Sequence, residues 1–152
     1  MWEEFRSHAL ALLGEDFAPE LIEDNGDSIS FTSRRDFRSY VLTETERGII
    51  IAYEGERNTV VPFCITKSPE LATTCLTLLA RDGIATLTDM SYTPRHLLGP
   101  VPHTAFTISK KSPPFFELTS TIDPTASATC RSFACARAIA EASTPSQDSP
   151  RP

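Results

Sequence analysis

Cysteine and histidine are the residues of this sequence most suited to act as nucleophiles, bases or metal ligands. They are Cys64, Cys75, Cys130 and Cys135, and His8, His96 and His103. The cysteines never form a C-x-x-C pair, and the histidines do not cluster with them at the spacing of a zinc site. The sequence therefore predicts neither a metal site nor a cofactor.

Catalytic motifs are missing as well. The sequence contains no G-x-S-x-G elbow, no P-loop, no dinucleotide fingerprint and no H-E-x-x-H. A small hydrolase could pair Cys64 or Cys130 with His96 or His103, but only the residue types favour this alternative. We expect no catalytic residues and interpret the chain as a protein that is not an enzyme.

Charged residues offer a different kind of chemistry, which is recognition of a partner. Residues 15–27 carry six acids and no base, and arginines follow shortly after. The residues predicted to bind a partner are Glu20, Glu23, Asp24, Asp27, Arg34 and Arg35. Two other interpretations stay open: the acids form a solvated face, or they pair internally with the arginines. Arg34, Arg35 and Arg38 beside Phe37 and Tyr40 also resemble a weak nucleic-acid patch.

The overall charge bears on the class of partner. The 152-residue chain has a formal net charge of −6 and a sequence pI near 5.0. Such a surface repels phosphate backbones and anionic lipids, so we expect neither a nucleic acid nor a membrane as partner. No secretory signal or spanning apolar run is visible, which favours a cytoplasmic protein with reduced thiols.

The clearest strands form a hairpin. In "FRSYVLTETERGIIIAYEG", residues 37–55, apolar and polar residues alternate on both sides of a Glu-Arg-Gly turn. "SISFTS", residues 28–33, predicts a shorter strand before the hairpin, and "TVVPFCI", residues 59–65, predicts one after it. Pro62 cannot donate to a ladder, so this last run is either an edge strand or carries a bulge.

Two helices complete the predicted core. Residues 2–13 show an amphipathic pattern that Gly14 is placed to end. The second helix spans about residues 69–82, with Ser68 as N-cap and Gly83 as its stop. Helix, consecutive antiparallel strands and helix predict an α+β fold, with a small antiparallel sheet and both helices packed on one face.

The last part of the chain changes in composition. "TAFTISKKSPPFFELTS", residues 104–120, predicts two further strands around a Pro-Pro turn. Residues 123–152 are rich in Ala, Ser, Thr and Pro, which predicts a largely disordered tail with at most a short helix at "FACARAIAEA". The expected domain therefore spans residues 1–122.

The order of these elements resembles a family of bacterial polymorphic-toxin immunity proteins. It is the family that includes the immunity factor against the tuberculosis necrotizing toxin, and many members come from actinobacteria. The resemblance covers residues 2–120 and lies in "FRSYVLT", "ERG", "LATTCLTLLARDG" and "AFTISKKSPPFFELTS". Family members carry a bulkier aromatic helix, and they continue into another strand and an apolar C-terminal helix where this chain has its Ala/Ser/Pro segment.

The resemblance implies a binding protein that neutralises a cognate toxin inside the producing cell. In the best-known branch of the family that toxin is an NAD glycohydrolase. An inhibitor of this kind needs a rigid, charge-complementary surface rather than catalytic residues. The alternative is a non-enzymatic interaction or chaperone-like module that binds a secreted effector without inhibiting it.

Overall fold

The strands of the described residues pair into one antiparallel sheet of nine strands. The computed structural model describes residues 1–17, 19–33, 37–87 and 98–143. The strands are β1 (Ile22–Asp24), β2 (Ser28–Thr32), β3 (Ser39–Thr45), β4 (Gly48–Glu54), β5 (Val60–Thr66), β6 (Gly99–Pro100), β7 (Phe106–Lys110), β8 (Phe116–Ser120) and β9 (Ser127–Cys130). The helices are α1 (Trp2–Asp16), α2 (Pro69–Asp82), α3 (Ile84–Leu87) and α4 (Phe133–Ala142).

The strand order is β1-β2-β3-β4-β5-β9-β8-β7-β6. Two antiparallel meanders therefore meet where β5 pairs with β9. The chain runs from β5 through α2 and α3, reaches β6 at the far edge of the sheet, and returns strand by strand to β9. This return path puts the last strand of the sequence in the interior of the sheet.

Alternating burial shows which face of the sheet carries the core. In β2, Ile29 and Phe31 are buried while their neighbours are only half-buried, and Leu118 continues the buried face in β8. Helices α2 and α4 pack against the sheet, and α1 packs against α2. The α+β class predicted from the sequence, with an N-terminal helix, a second helix and an antiparallel sheet, is confirmed. The sheet, which was expected to be small, has nine strands in the described residues, and α1 packs on α2.

The predicted hairpin is the β3–β4 pair. Its register joins Tyr40 to Tyr53 and Thr45 to Gly48, with Glu46 and Arg47 at the turn. Gly48 has φ of 119°, a backbone conformation that glycine adopts without the penalty that a Cβ imposes. The turn chemistry of the sequence thus set the register of the hairpin.

Strand β5 shows how the sheet accommodates a proline. It lies between β4 and β9, and its pairing with β4 shifts register opposite Ile51 and Ala52, next to Pro62 and Phe63. Of the two predicted alternatives, the bulge is confirmed and the edge position is wrong. The bulge lets an interior strand contain a residue without an amide proton.

The second helix matches its prediction, but the first one does not end where expected. The Ser68 side chain accepts a hydrogen bond from the Leu71 amide at 3.2 Å, and Gly83 follows α2 with φ of 79°. In contrast, α1 continues through Gly14 to Asp16 and ends at the extended residue Phe17. The ring of Phe17 lies 5.4 Å from that of Phe31, so packing on the sheet determines this helix end.

The expected boundary at residue 122 is wrong for residues 127–142. The β9 strand pairs with both β5 and β8, and α4 buries Phe133, Ala136 and Ile139 in the core. The predicted strands around the Pro-Pro turn are β7 and β8. Residues 144–152 of the expected tail lie outside the described residues. Within the described ranges, no helix has the length and apolar character needed to cross a membrane.

Candidate interaction site

The acidic residues predicted to bind a partner follow one edge of the sheet. Glu23 and Asp24 belong to the edge strand β1, Glu20 lies in the short 3-10 helix before it, and Asp27 lies in the turn after it. All four residues are exposed. Arg34 and Arg35, the basic part of the prediction, lie outside the described residues. We call the acidic part, with Glu3 of α1, the acidic edge.

The N-terminus of α1 anchors the turn that follows β1. The indole Nε1 of Trp2 donates a hydrogen bond to the carbonyl of Gly26 at 2.8 Å, and the Trp2 side chain is buried. The amide of Asn25 donates to the carbonyl of Ser28 at 2.9 Å. The hydroxyl of Thr43 donates to the carbonyl of Asp27 at 3.2 Å. The turn is therefore held from the helix on one side and from the hairpin on the other.

Arg6 joins the helix to the edge strand. Its Nε donates to Asp24 Oδ1 at 3.0 Å, and its Nη2 binds the other oxygen of the same carboxylate. Its Nη1 donates to Glu3 Oε2 at 3.3 Å, which brings a carboxylate of α1 next to those of β1. A bidentate pair of this kind fixes the direction of both side chains.

The pKa values report the same arrangement. The hydrogen bond from Arg6, followed by that from the Gly26 amide, holds the pKa of the Asp24 carboxyl below its ordinary value. The hydrogen bond to Asp24 raises the pKa of Arg6. Asp24 thus stays ionised, but it is committed to Arg6 and Gly26, so Glu23 and Asp27 are better placed to meet a partner.

Sequence reasoning missed Glu3, Arg6 and Trp2 as parts of this site. Their positions on α1 gave an amphipathic pattern, but nothing in the spacing indicates which strand the polar face of a helix will meet. The one available signal was Arg6, a base in an N-terminal region that is otherwise acidic. In the structure, Arg6 pairs with Asp24, one of the acids of residues 15–27.

The thiol chemistry considered for a hydrolase has no counterpart in the described geometry. All four cysteines are buried in the core, whereas His8 and His103 are exposed. His96 lies outside the described residues. Within the ranges that the structure covers, no group of three or more His, Cys, Asp or Glu is arranged to hold a metal ion.

A second surface feature is a cleft between the end of β4 and the start of β3. The guanidinium of Arg38 lies 5.5 Å from the centre of the Tyr53 ring. A shallow cleft of about 490 Å³ opens there, lined by both residues together with Glu54 and Glu56. Because Arg38 already stacks on Tyr53 beside two carboxylates, this cleft has little of the positive character that a nucleic-acid site requires.

Comparison of the chain with protein-family models, with curated proteins and with solved structures gives no match.

Proposed function

We propose that this protein is an immunity protein, which binds a cognate bacterial toxin in the cytoplasm of the cell that makes both and thereby inhibits it. The observation that carries the proposal is the acidic edge. Trp2 and Thr43 hold the turn that carries Asp27, and Arg6 holds β1, which carries Glu23 and Asp24, so the backbone that presents these carboxylates is already ordered. A toxin whose active-site cleft is rimmed by basic residues fits this surface.

The order of elements supports the proposal. The resemblance to the immunity proteins implies a further strand and an apolar C-terminal helix after the last strand recognised in the sequence. The chain has both, as β9 (Ser127–Cys130) and α4 (Phe133–Ala142). These two elements agree with the order that the resemblance implies. The toxin class implied by the resemblance is an NAD glycohydrolase.

The acidic edge also has a purely structural role. An edge strand exposes unpaired backbone groups, and charged side chains on it discourage pairing with another sheet. Strand β1 is only three residues long and carries Glu23 and Asp24. A non-enzymatic interaction or chaperone-like module with the same fold would show the same acids, so this alternative has to be separated by experiment.

The direct test uses the toxin domain encoded beside the gene of this protein. We expect a stable complex, and we expect the toxin activity, measured as NAD hydrolysis, to disappear at near-stoichiometric amounts of this protein. A complex that leaves the activity intact would favour the chaperone-like alternative. Absence of a complex at micromolar concentration would reject both.

A second test locates the contact. Charge reversal by Glu23→Lys together with Asp27→Lys should lower the association rate about ten-fold, because steering depends on the sign of the charge at the surface. The matched control is Glu141→Lys on α4, which only breaks an exposed pair with Arg137. Equal association rates for all variants would place the contact elsewhere while leaving the inhibition itself untouched.

A further inference from the structure

The four cysteines, which lie on four different elements, meet inside the core. Their positions are Cys64 in β5, Cys75 in α2, Cys130 in β9 and Cys135 in α4. The Cys64 thiol lies next to those of Cys130 and Cys75, and the Cys135 thiol lies next to the same two. All four are fully buried, so the sheet and two helices enclose a cluster of mutually contacting thiols.

Within this cluster, Cys64 and Cys130 have a defined geometric relation. They are direct partners in the antiparallel pairing of β5 with β9. The amide of Arg131 donates to the carbonyl of Phe63 at 3.0 Å, which makes the neighbouring pair Phe63/Arg131 a hydrogen-bonded pair. Because the two types of pair alternate along an antiparallel ladder, Cys64 and Cys130 form a non-hydrogen-bonded pair.

That type of pair suits a disulfide. Cα atoms of a non-hydrogen-bonded pair lie about 4.5 Å apart, and their side chains leave the sheet on the same face. Disulfides span Cα separations of about 4.4–6.8 Å. The two sulfurs can therefore be joined without moving the strands apart.

Metal binding is the other use of four clustered thiols, and the arrangement disfavours it. A zinc site needs its thiolates directed at one centre about 2.3 Å from each sulfur. The described part of the chain includes all four cysteines, yet no three of them are arranged in this way. The contacts favour bonding between sulfurs.

We propose that Cys64 and Cys130 are a disulfide-forming pair that fastens β9 to β5. In the reducing cytoplasm, where we place the protein, the pair stays as two thiols, and it is oxidised where oxidised glutathione accumulates. One cysteine thiolate attacks the glutathione disulfide and releases a glutathione thiolate, and the second cysteine then attacks the mixed disulfide and releases the other. The two cysteines lose two protons and two electrons, and the glutathione disulfide is reduced to two thiols. Because the pair is buried, the exchange takes place while β9 and α4 are undocked.

The disulfide would lie where the two meanders of the sheet are paired. Pairing of β5 with β9 connects the β1–β5 meander to the β6–β9 meander in the described sheet. A covalent link there closes a long loop, from residue 64 to residue 130, and restricts the unfolded chain. We therefore expect the oxidised protein to unfold at a higher urea concentration than the reduced one.

The test uses the full chain refolded in glutathione buffers of increasing oxidising strength, quenched with acid and alkylated. Peptide mass mapping should find Cys64 linked to Cys130, and the urea midpoint should rise and return after treatment with a phosphine reductant. Cys75→Ala should keep the link and the rise, whereas Cys130→Ala should lose both. Peptide mapping needs only the unsubstituted protein, so it shows whether Cys64 and Cys130 are linked even if a variant does not fold.

Three outcomes would overturn the proposal. They are four alkylated thiols at every buffer composition, a disulfide that maps to another pair such as Cys75 with Cys135, and stoichiometric zinc in protein refolded with zinc present.

Discussion

Gly48 shows how a single residue sets the start of a strand. It lies at the end of the β3–β4 turn with φ of 119°, and a Cβ placed on it would come 2.7 Å from the carbonyl carbon of Thr66 in the next strand. Gly14 is the opposite case, since a Cβ there meets nothing within 4 Å. The two glycines therefore have different structural roles. The sequence predicts a turn at Gly48 and a helix end at Gly14, but only Gly48 occupies a position that a side chain would disturb.

We expect Gly48→Ala to lower the free energy of unfolding by about 3 kcal/mol, because the Cβ combines backbone strain with a collision against the β5 backbone. Gly14→Ala, in the interior of α1, should instead raise it by about 0.5–1 kcal/mol, since alanine loses less backbone entropy on folding. Urea unfolding of both variants measures this. Equal effects of the two substitutions would contradict the described turn.

A second prediction at this scale concerns Asp24 and pH. Its pKa is lowered in the folded state, so the contribution of its ion pair is complete above the ordinary carboxyl pKa of about 4 and is lost as the pH falls through the lowered value. An NMR titration should show Arg6→Gln raising the pKa of Asp24. Arg137→Gln, which breaks a pair on α4, should leave it unchanged. A pKa of Asp24 that is insensitive to Arg6 would contradict the geometry.

At the scale of elements, α4 depends on its N-cap residue, Ser132. The Ser132 hydroxyl donates to the carbonyl of Leu87 and accepts from the amide of Cys135 at 3.0 Å. One side chain therefore caps the helix and ties it to α3. The buried stripe of α4 can pack on the sheet only if this helix start is held in place.

We expect Ser132→Ala to lower the free energy of unfolding by about 1–2 kcal/mol, since it removes a cap and leaves buried polar groups without this partner. Ser7→Ala, at an exposed position of α1, should change it by less than about 0.5 kcal/mol. Thermal unfolding followed by circular dichroism compares the two. A neutral Ser132→Ala would mean that α4 is held by its apolar contacts alone.

At the scale of the whole molecule, the sheet is built around its last strand. Strand β9 separates β5 from β8, so its removal would leave two unconnected meanders and uncover Phe63 and Leu118, both fully buried. The sheet and its core therefore continue across the boundary that composition placed at residue 122.

A chain shortened to residues 1–122 should consequently lose cooperative unfolding and bind the dye ANS through its exposed core. The comparison is a chain of residues 1–143, which keeps every described element. Circular dichroism during heating measures cooperativity for both. A sharp transition in the shorter chain would show that strands β1–β8 and helices α1–α3 are sufficient without β9 and α4.

The sequence determined the elements whose information is local. The hairpin followed from alternation and turn chemistry in residues 37–55, and α2 followed from its cap, its apolar stripe and Gly83. The acids of the candidate site were also visible, because exposed carboxylates need no tertiary partner to be recognised. These signals depend on neighbours a few residues apart.

Tertiary structure alone decided the features that depend on contacts between distant parts of the chain. Composition averaged over residues 123–152 hid a stripe of small apolar residues in α4 and the interior position of β9. Burial of Ala128 and Ala136 stabilises the fold only because the sheet and α2 pack against them. The end of α1 is also determined by the contact of the Phe17 ring with that of Phe31. The pairing of Arg6 with Asp24 and the meeting of four thiols are likewise long-range contacts. Packing and strand order bring them about, and no short stretch of sequence encodes either.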